Sequence, residues 1–410
     1  MSDMPKIRFK QFDSEWDLQS LSDIATMHAR IGWQNLRTSE YLEHGDYMLI
    51  TGTDFDDGRI IFDTCNYVAK ERYDQDKNIQ IADGNILITK DGTLGKVAYV
   101  EGLSKPATLN AGIFNVVIRE PAAVDAKYLF QYLKAPFLME YVSKNATGGT
   151  IKHLNQSILK SFPIDLPEKE EQEKIGYFLG QIDDLIHFHQ RTLSKAKETK
   201  LFFLDSLFAS KNITIPSVRF GAWKNEWVLL PLNKVLSPFK DYLPTPTDGY
   251  TRLGIRSHMK GTFYEYVAPS KRLGEKRLQR VKRDNFIVNI VFAWEHAIAV
   301  TTEEDEGKLV SHRFPQFSFN DGMHPRFFHY ALNDERFRHH LWLASPSGAG
   351  RNKTLRIDEM LEYELRVPEY EEQKKIADFL TSLDELIKLY DYRITKLQNI
   401  KSACLQGMFV

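Results

Sequence analysis

Lys271 to Arg283 reads KRLGEKRLQRVKR, in which seven of thirteen residues are Lys or Arg against one Glu. Such a run either lies solvated on the surface or neutralises backbone phosphate, where each contact adds salt-dependent affinity. Lys276, Arg277 and Arg280 are its candidate phosphate contacts. Two glycine-rich stretches also stand beside cations, NATGGTIK (Asn145 to Lys152) and SPSGAGRNK (Ser345 to Lys353). Small residues let backbone amides approach a phosphate closely, with side-chain donors alongside. This makes Thr147, Gly148, Gly149, Thr150 and Lys152 candidates in one stretch, and Gly348, Arg351 and Lys353 in the other. A third pair follows Tyr47 and Tyr250. Thr51, Thr53 and Asp54 stand in one half where Arg256, Ser257 and His258 stand in the other. Their donors and acceptors suit base edges, and unlike sets would read unlike half-sites.

Motifs of catalysis are missing. The stretch Gly92-Thr93-Leu94-Gly95-Lys96-Val97 lacks the spacing and hydroxyl of a Walker loop, and there is no G-x-G-x-x-G or G-x-S-x-G. No Asn/Asp-Pro-Pro motif of an adenine methyltransferase occurs. Glu306-Gly307-Lys308 resembles a nuclease triplet but sits in an acidic run with no preceding Pro-Asp. The twelve histidines never form H-E-x-x-H, so no metal is expected. Cys65 and Cys404 match neither a disulfide framework nor zinc spacing, which suits a reducing, cytoplasmic setting. No signal peptide and no membrane span are expected. A net charge of -1 over 410 residues excludes a uniformly basic DNA-coating protein but not a local basic patch.

The elements that must position these residues are written twice. PKIRFKQFDSEW (from Pro5) recurs as PSVRFGAWKNEW (from Pro216), an offset of 211. Tyr47 and Gly58 recur as Tyr250 and Gly261, and Gly84-Asn85-Ile86 as Asp284-Asn285-Phe286. LPEKEEQEKIGYFLGQIDDLI (from Leu166) recurs as VPEYEEQKKIADFLTSLDELI (from Val367), an offset of 201. Preserved order with slipping spacing marks a duplicated framework with divergent loops. Within each half, Ile86 to Thr89 with Asn110 to Arg119, and Asn285 to Val291 with Phe314 to Phe319, read as strands. Tyr128 to Tyr141 and Arg326 to Leu343 read as helices. A helix of about 38 residues then closes each half, beginning after Pro167 or Pro368 with glutamates suited to its N-terminus.

Apolar steps of three and four residues define a candidate seam, made of Ile175, Leu179, Ile182, Ile186 and Leu193 with Ile376, Leu380, Leu383, Ile387 and Ile394. Neither stripe is hidden alone, so the two helices are predicted to pair. The short exit through Ala209 to Pro216 favours an antiparallel pair. The expected fold is α+β, a pseudo-two-fold dumbbell of two mixed domains on two long antiparallel coiled-coil helices. Its expected divisions are 1–165, 166–212, 213–366 and 367–410.

The EEQEKI and EEQKKI helix starts (Glu171 and Glu372 onward), the two R-F-x(6)-W lead-ins (Arg8 to Trp16, Arg219 to Trp227), DGNILITKDGTLGK (Asp83 to Lys96) and TGGTIKHL (Thr147 to Leu154) resemble the DNA-specificity subunits of Type I restriction-modification enzymes. The likeness spans essentially the whole chain. It implies a non-catalytic protein with two target recognition domains. Such a protein reads a bipartite duplex DNA site and joins two methyltransferase subunits, with two restriction subunits in the larger assembly. S-adenosylmethionine, ATP and Mg then belong to the partners, and no cofactor to this chain. The likeness also makes Lys96 a phosphate candidate. The second half has Phe292-Ala293-Trp294-Glu295-His296 in place of the glycine-lysine turn, so that role does not carry across. Three other readings are a methylation-only or fused-type system, a coiled-coil adaptor with protein-docking globules, and an enzyme whose pocket is built from scattered residues.

Overall fold

The computed structural model describes residues 5–145, 153–209, 212–221, 223–269, 277–346 and 353–409, with Trp33 described by its backbone alone. By internal contacts the chain forms two units, residues 1–191 with 391–410, and residues 192–390. Each therefore holds one mixed α/β domain and part of each long helix.

In the first unit, Ala25–His28, Ile113–Ile118, Ile86–Thr89 and Val97–Tyr99 form one antiparallel sheet, in that spatial order. A second sheet orders Asn66–Val68, Tyr47–Ile50, Ala107–Leu109 and Gln80–Ile81, with a parallel pair at its centre. The second unit repeats the first sheet as Leu236–Phe239, Gln316–Phe319, Asn285–Val288 and Ile298–Val300. Its other sheet has five strands, ordered Tyr242–Pro244, Arg277–Arg280, Leu309–Val310, Tyr250–Ile255 and Thr262–Val267. In each unit a two-stranded ribbon joins the lead-in to the strand before the long helix, Asp17–Ser20 with Pro163–Leu166 and Val228–Pro231 with Glu364–Val367.

The expected strands are present but shorter. Asn285–Val288 stops before Val291, and Asn110 to Ala111 is a turn between two strands of different sheets. Each aromatic-rich helix is broken in two. The first divides into Ala126–Lys134 and Pro136–Asn145, because Pro136 has no amide hydrogen to continue the ladder. The second divides into Pro325–Ala331 and Glu335–Leu343, where the Asp334 carboxylate accepts from the Arg336 amide at 3.0 Å and starts a new helix.

The long helices span Lys169–Ser206 and Tyr370–Met408. Ile175, Leu179, Ile182 and Ile186 lie in the same buried cluster as the first domain's core and Leu405, Met408 and Phe409. Ile376 and Leu380 do the same in the second unit, with Leu383 packed at the margin. Ile394 is buried, while Leu193 and Ile387 are half-buried. Within the second unit the helices run antiparallel, since Lys200 meets Asp384 at 2.5 Å and Phe203 meets Phe379 with ring centroids 4.7 Å apart. Within the first, Asp183 meets Lys401 at 2.5 Å, while residues 7 and 8 join Gly407 to Glu171. Asp384 is Asp183 plus 201 and Lys401 is Lys200 plus 201, so the two ion pairs are one contact written twice.

The repeated motifs prove to be joints. Arg8 grips Glu171 with two hydrogen bonds of 2.8 Å, and Arg219 grips Glu372 at 2.8 and 2.5 Å. Phe9 packs on Phe178 and Phe220 on Phe379, while Trp16 packs on Tyr128 and Trp227 on Phe327. Gln172 accepts from the Asp125 amide at 2.8 Å and donates to the Ala123 and Pro167 carbonyls. Gln373 does the same with His324, Gly322 and Pro368. The E-E-Q helix start thus ties each lead-in and each domain to its own helix. That is a larger role for Glu171 and Glu372 than favouring a helix dipole.

Candidate nucleic-acid interface

In the first unit the candidates gather at the end of the strand Ile86–Thr89. Its continuation, Lys90 to Lys96, folds back through Gly92 and Gly95, both with φ near +70° (72° and 74°). Only a residue without a Cβ takes that conformation cheaply. The Thr89 hydroxyl accepts from the Lys96 amide at 2.9 Å and donates to the Thr93 carbonyl, closing the turn and leaving Lys96 exposed. Thr51 to Asp54 packs against the same threonine, since a Cβ on Gly52 would stand 3.2 Å from the Thr89 methyl.

Asp54 is buried, and its carboxylate is taken up inside its own loop. One oxygen accepts from the Thr51 amide and hydroxyl, both at 2.8 Å, and the other from the Thr64 hydroxyl at 2.9 Å. It shapes the loop that displays Thr51 and Thr53. The chain arriving from the glycine-rich stretch joins the same place, where the Leu154 amide donates to the Lys90 carbonyl at 2.9 Å and His153 pairs with Asp91.

The second unit builds its counterpart at the end of Asn285–Val288. The Leu355 amide donates to the Ile290 carbonyl at 2.9 Å, as Leu154 does to Lys90. Here the glycine turn is replaced by a short 3-10 helix, Ala293–Glu295. The hairpin tip rests on it, with the His258 amide donating to the Glu295 carbonyl at 2.8 Å and the Ser257 hydroxyl to the Glu295 carboxylate at 2.5 Å. Arg256 and His258 are exposed. Lys353 reaches the same helix, its ammonium 5.0 Å from the Trp294 ring and 4.9 Å from the Trp342 ring. His339 stacks on Trp342 with rings 13° from parallel, and Trp342 is 48% exposed. Beneath, His296 is buried, and burial pushes its imidazole down from the ordinary value against the raising effect of its bond to the Leu332 carbonyl.

So Arg256, Ser257, His258 and Lys353 share one surface, while Arg277 and Arg280 do not. They lie on a strand two places across the sheet from the hairpin. There Arg277 stands over Tyr242 at 5.6 Å, and Arg280 lies 3.8 Å from Asp241. Thr147, Gly148, Gly149, Thr150, Lys152, Lys276, Gly348 and Arg351 fall outside the described residues. Sequence alone gives Trp294 and His339 no binding role and does not mark Trp342, although His339 and Trp342 are three apart on a helix and therefore share a face.

Among the described residues no group of three or more His, Cys, Asp or Glu could hold a metal ion, and no helix is long and apolar enough to cross a membrane.

The family described as "Type I restriction modification DNA specificity domain" matches residues 13–198 and 256–399. The chain belongs to that family. Its members are the DNA-recognition components of Type I restriction-modification enzymes and are not themselves catalytic. The MjaVIII specificity subunit of Methanocaldococcus jannaschii is similar to this specificity subunit. It is 26% identical over 331 residues, 76% of this chain and 75% of the relative. The MjaIX specificity subunit of the same organism is 29% identical over 230 residues, 53% of this chain and 48% of that relative. A crystal structure of a Type-I restriction-modification system S subunit from M. genitalium has the same fold. Its TM-score is 0.62 at 14% identity, covering 100% of this chain and 99% of that one.

Proposed function

We propose that this specificity subunit reads a bipartite, asymmetric duplex DNA sequence, one half-site through each domain. It also holds two methyltransferase subunits and, in the larger complex, two restriction subunits. The observation that carries the reading is the pair of equivalent surfaces at the ends of Ile86–Thr89 and Asn285–Val288. They are built on one framework yet furnished with different side chains. Thr51 and Thr53 face a reader's task on one, beside the phosphate candidate Lys96, and Arg256, Ser257 and His258 on the other, beside the phosphate candidate Lys353. Unlike donors on like scaffolds give unlike half-sequences. Arg277 and Arg280, together with Lys276 and the two glycine-rich stretches, are assigned to phosphate, which positions without specifying.

Partner docking is supported by apolar side chains left uncovered on the long helices. In the first unit these include Tyr177, Phe188 and Tyr392, each exposed by 60% or more, and in the second Leu201 and Phe202. Exposed apolar surface of this kind marks protein interfaces. S-adenosylmethionine, ATP and Mg are assigned to those partners. Adenine-methylation mapping of cells carrying the methyltransferase subunits, with and without this chain, tests the proposal. Methylation at one interrupted motif should appear only with the chain. Identical methylation without it would sink the reading.

A further inference from the structure

The hairpin Tyr250–Ile255 and Thr262–Val267 is the outermost pair of its five-stranded sheet, and among the described residues the second strand is an unpaired edge. Phe263, Tyr264 and Tyr266 are all exposed on that edge strand. An apolar, unpaired edge is a hazard unless something else uses it. Its charges are Arg252, Arg256 and Lys260 against Glu265, and Glu265 is already held by Arg252 at 2.5 Å. The unneutralised cations therefore lie at the tip. A two-stranded ribbon is also one of the two elements that the DNA major groove admits.

One side chain at that tip is held in place. Gly254 stands opposite Phe263, and any Cβ there would overlap the Phe263 ring, so the missing side chain lets the ring lie flat across the ribbon. The Arg256 guanidinium lies over that ring at 5.2 Å, and its Nη1 donates to the Thr262 carbonyl. Its backbone amide closes the turn on the Gly261 carbonyl at 2.9 Å. A planar, always-charged fork is thus oriented before any ligand arrives, with Nε and Nη2 given no hydrogen-bond partner among the described residues. From this geometry we infer that Arg256 is a guanine reader. It donates two hydrogen bonds to O6 and N7 of one guanine in the half-site read by the second domain, with Phe263 and Gly254 as its positioning residues. The inference rests on the DNA-recognition reading above and adds a base identity to it. Among its described residues the first unit shows no such device. By sheet position its counterpart of the hairpin is Tyr47–Ile50 with Asn66–Val68, neither strand of which carries an arginine, and Arg59 in the connection between them is held by Asp184 at 2.5 Å. The guanine requirement is therefore confined to one half-site.

The test uses the full chain with its methyltransferase subunits and a duplex library randomised across the parental motif. R256K keeps the charge but loses the fork, so it separates base reading from phosphate contact. R256K and R256A should each lose discrimination at one guanine by roughly 5- to 150-fold, the equivalent of about 1–3 kcal/mol. Every other position should stay unchanged. F263A should weaken selection at that same guanine and no other. R256K with the parental preference intact would overturn the inference, as would a uniform loss of affinity across sequences or a half-site without guanine. A parental complex that selects no motif at all would instead defeat the DNA-recognition reading itself.

Discussion

Replacing Asp183 with alanine should destabilise the first unit far more than removing its partner Lys401. Asp183 is only 14% exposed and accepts from Lys401 at 2.5 Å and from Gln131 at 2.8 Å, with Lys134 at 3.6 Å. Burial alone would raise its pKa, but the two lysines and Gln131 hold the carboxyl below its usual range. Burial and the nearby Lys134 pull Lys401 down to about 8 despite Asp183. Asp183→Ala leaves the buried Lys401 ammonium without its counter-ion, while Lys134 keeps Asp57 at 2.9 Å, a loss of about 3–5 kcal/mol. Lys401→Met leaves Asp183 with Lys134 and Gln131 and exchanges a buried charge for an apolar chain, so it should cost about 1 kcal/mol or less. The equivalent Asp384 is more exposed, and Asp384→Ala should cost only about 1–2 kcal/mol, mostly from the Tyr330 hydroxyl bond of 2.7 Å.

The D183A penalty should also depend on pH in a stated direction. Without Asp183 the folded Lys401 releases its proton at lower pH, while unfolded lysine keeps it to about 10.4 in both proteins. Between the two folded values, the parental native state binds more protons than the variant. The parental advantage therefore falls as pH rises through about 8. Scanning calorimetry of the full chain at pH 7 and pH 9.5 reads both effects. Equal losses for D183A and K401M, or a D183A penalty that does not shrink at the higher pH, would refute the reasoning.

Acid should act first on the second unit. Burial lowers His296, His324 and His329 there, against His187 alone in the first, so the unfolded chain binds more protons as pH falls below about 6.5. Calorimetry from pH 7.5 to 5.5 should show the second unit's transition falling faster, and parallel shifts would contradict this. Cys65, whose thiol is pushed up to about 12 by burial and by Asp54, should resist thiol reagents at pH 8 until denaturant is added. Rapid labelling of the native chain at Cys65, read by mass spectrometry, would show that the loop opens. Arg8→Ala should cost on the order of 3 kcal/mol in the first unit by leaving Glu171 buried and unpaired, and Arg219→Ala should do the same through Glu372. A change under 1 kcal/mol in urea unfolding would mean that water reaches the carboxylate.

What was legible in the chain was whatever it repeats. The long helices follow Pro167 and Pro368 as expected, and their stripe residues are buried or half-buried, because apolar spacing over ten turns leaves little room for another fold. Sequence spacing was misleading where a single residue overrides a pattern. Pro136 splits a helix whose aromatic spacing runs through it, and Asp334 restarts another. Asp54 was read for its hydrogen-bonding groups, but T-x-x-D is also a capping sequence, and the carboxylate is consumed in holding Thr51. The charged seam was overlooked because a lysine or aspartate on a helix normally faces water. Its signal was nonetheless present, since Asp183 and Asp384, like Lys200 and Lys401, recur at the same offset of 201 as the apolar stripe.

The R-F-x(6)-W lead-ins and the E-E-Q helix starts that carry part of the family likeness are not the residues assigned to DNA. Arg8, Trp16, Glu171 and Gln172, with Arg219, Trp227, Glu372 and Gln373, bind lead-in, domain and helix together inside each unit. Their chemistry is intramolecular, so they have to match in both halves. The loops at the ends of Ile86–Thr89 and Asn285–Val288 hang from that frame by a few backbone bonds, such as Leu154 to Lys90 and Leu355 to Ile290. Those bonds involve no side chain, so the loop sequences are free to differ without disturbing the fold. A glycine turn in one half and a tryptophan-bearing 3-10 helix in the other are both accommodated. On the proposed assignment stability and specificity are kept on separate residues, so changing Arg256 or Thr53 should alter the DNA sequence read while the joints stay as they are.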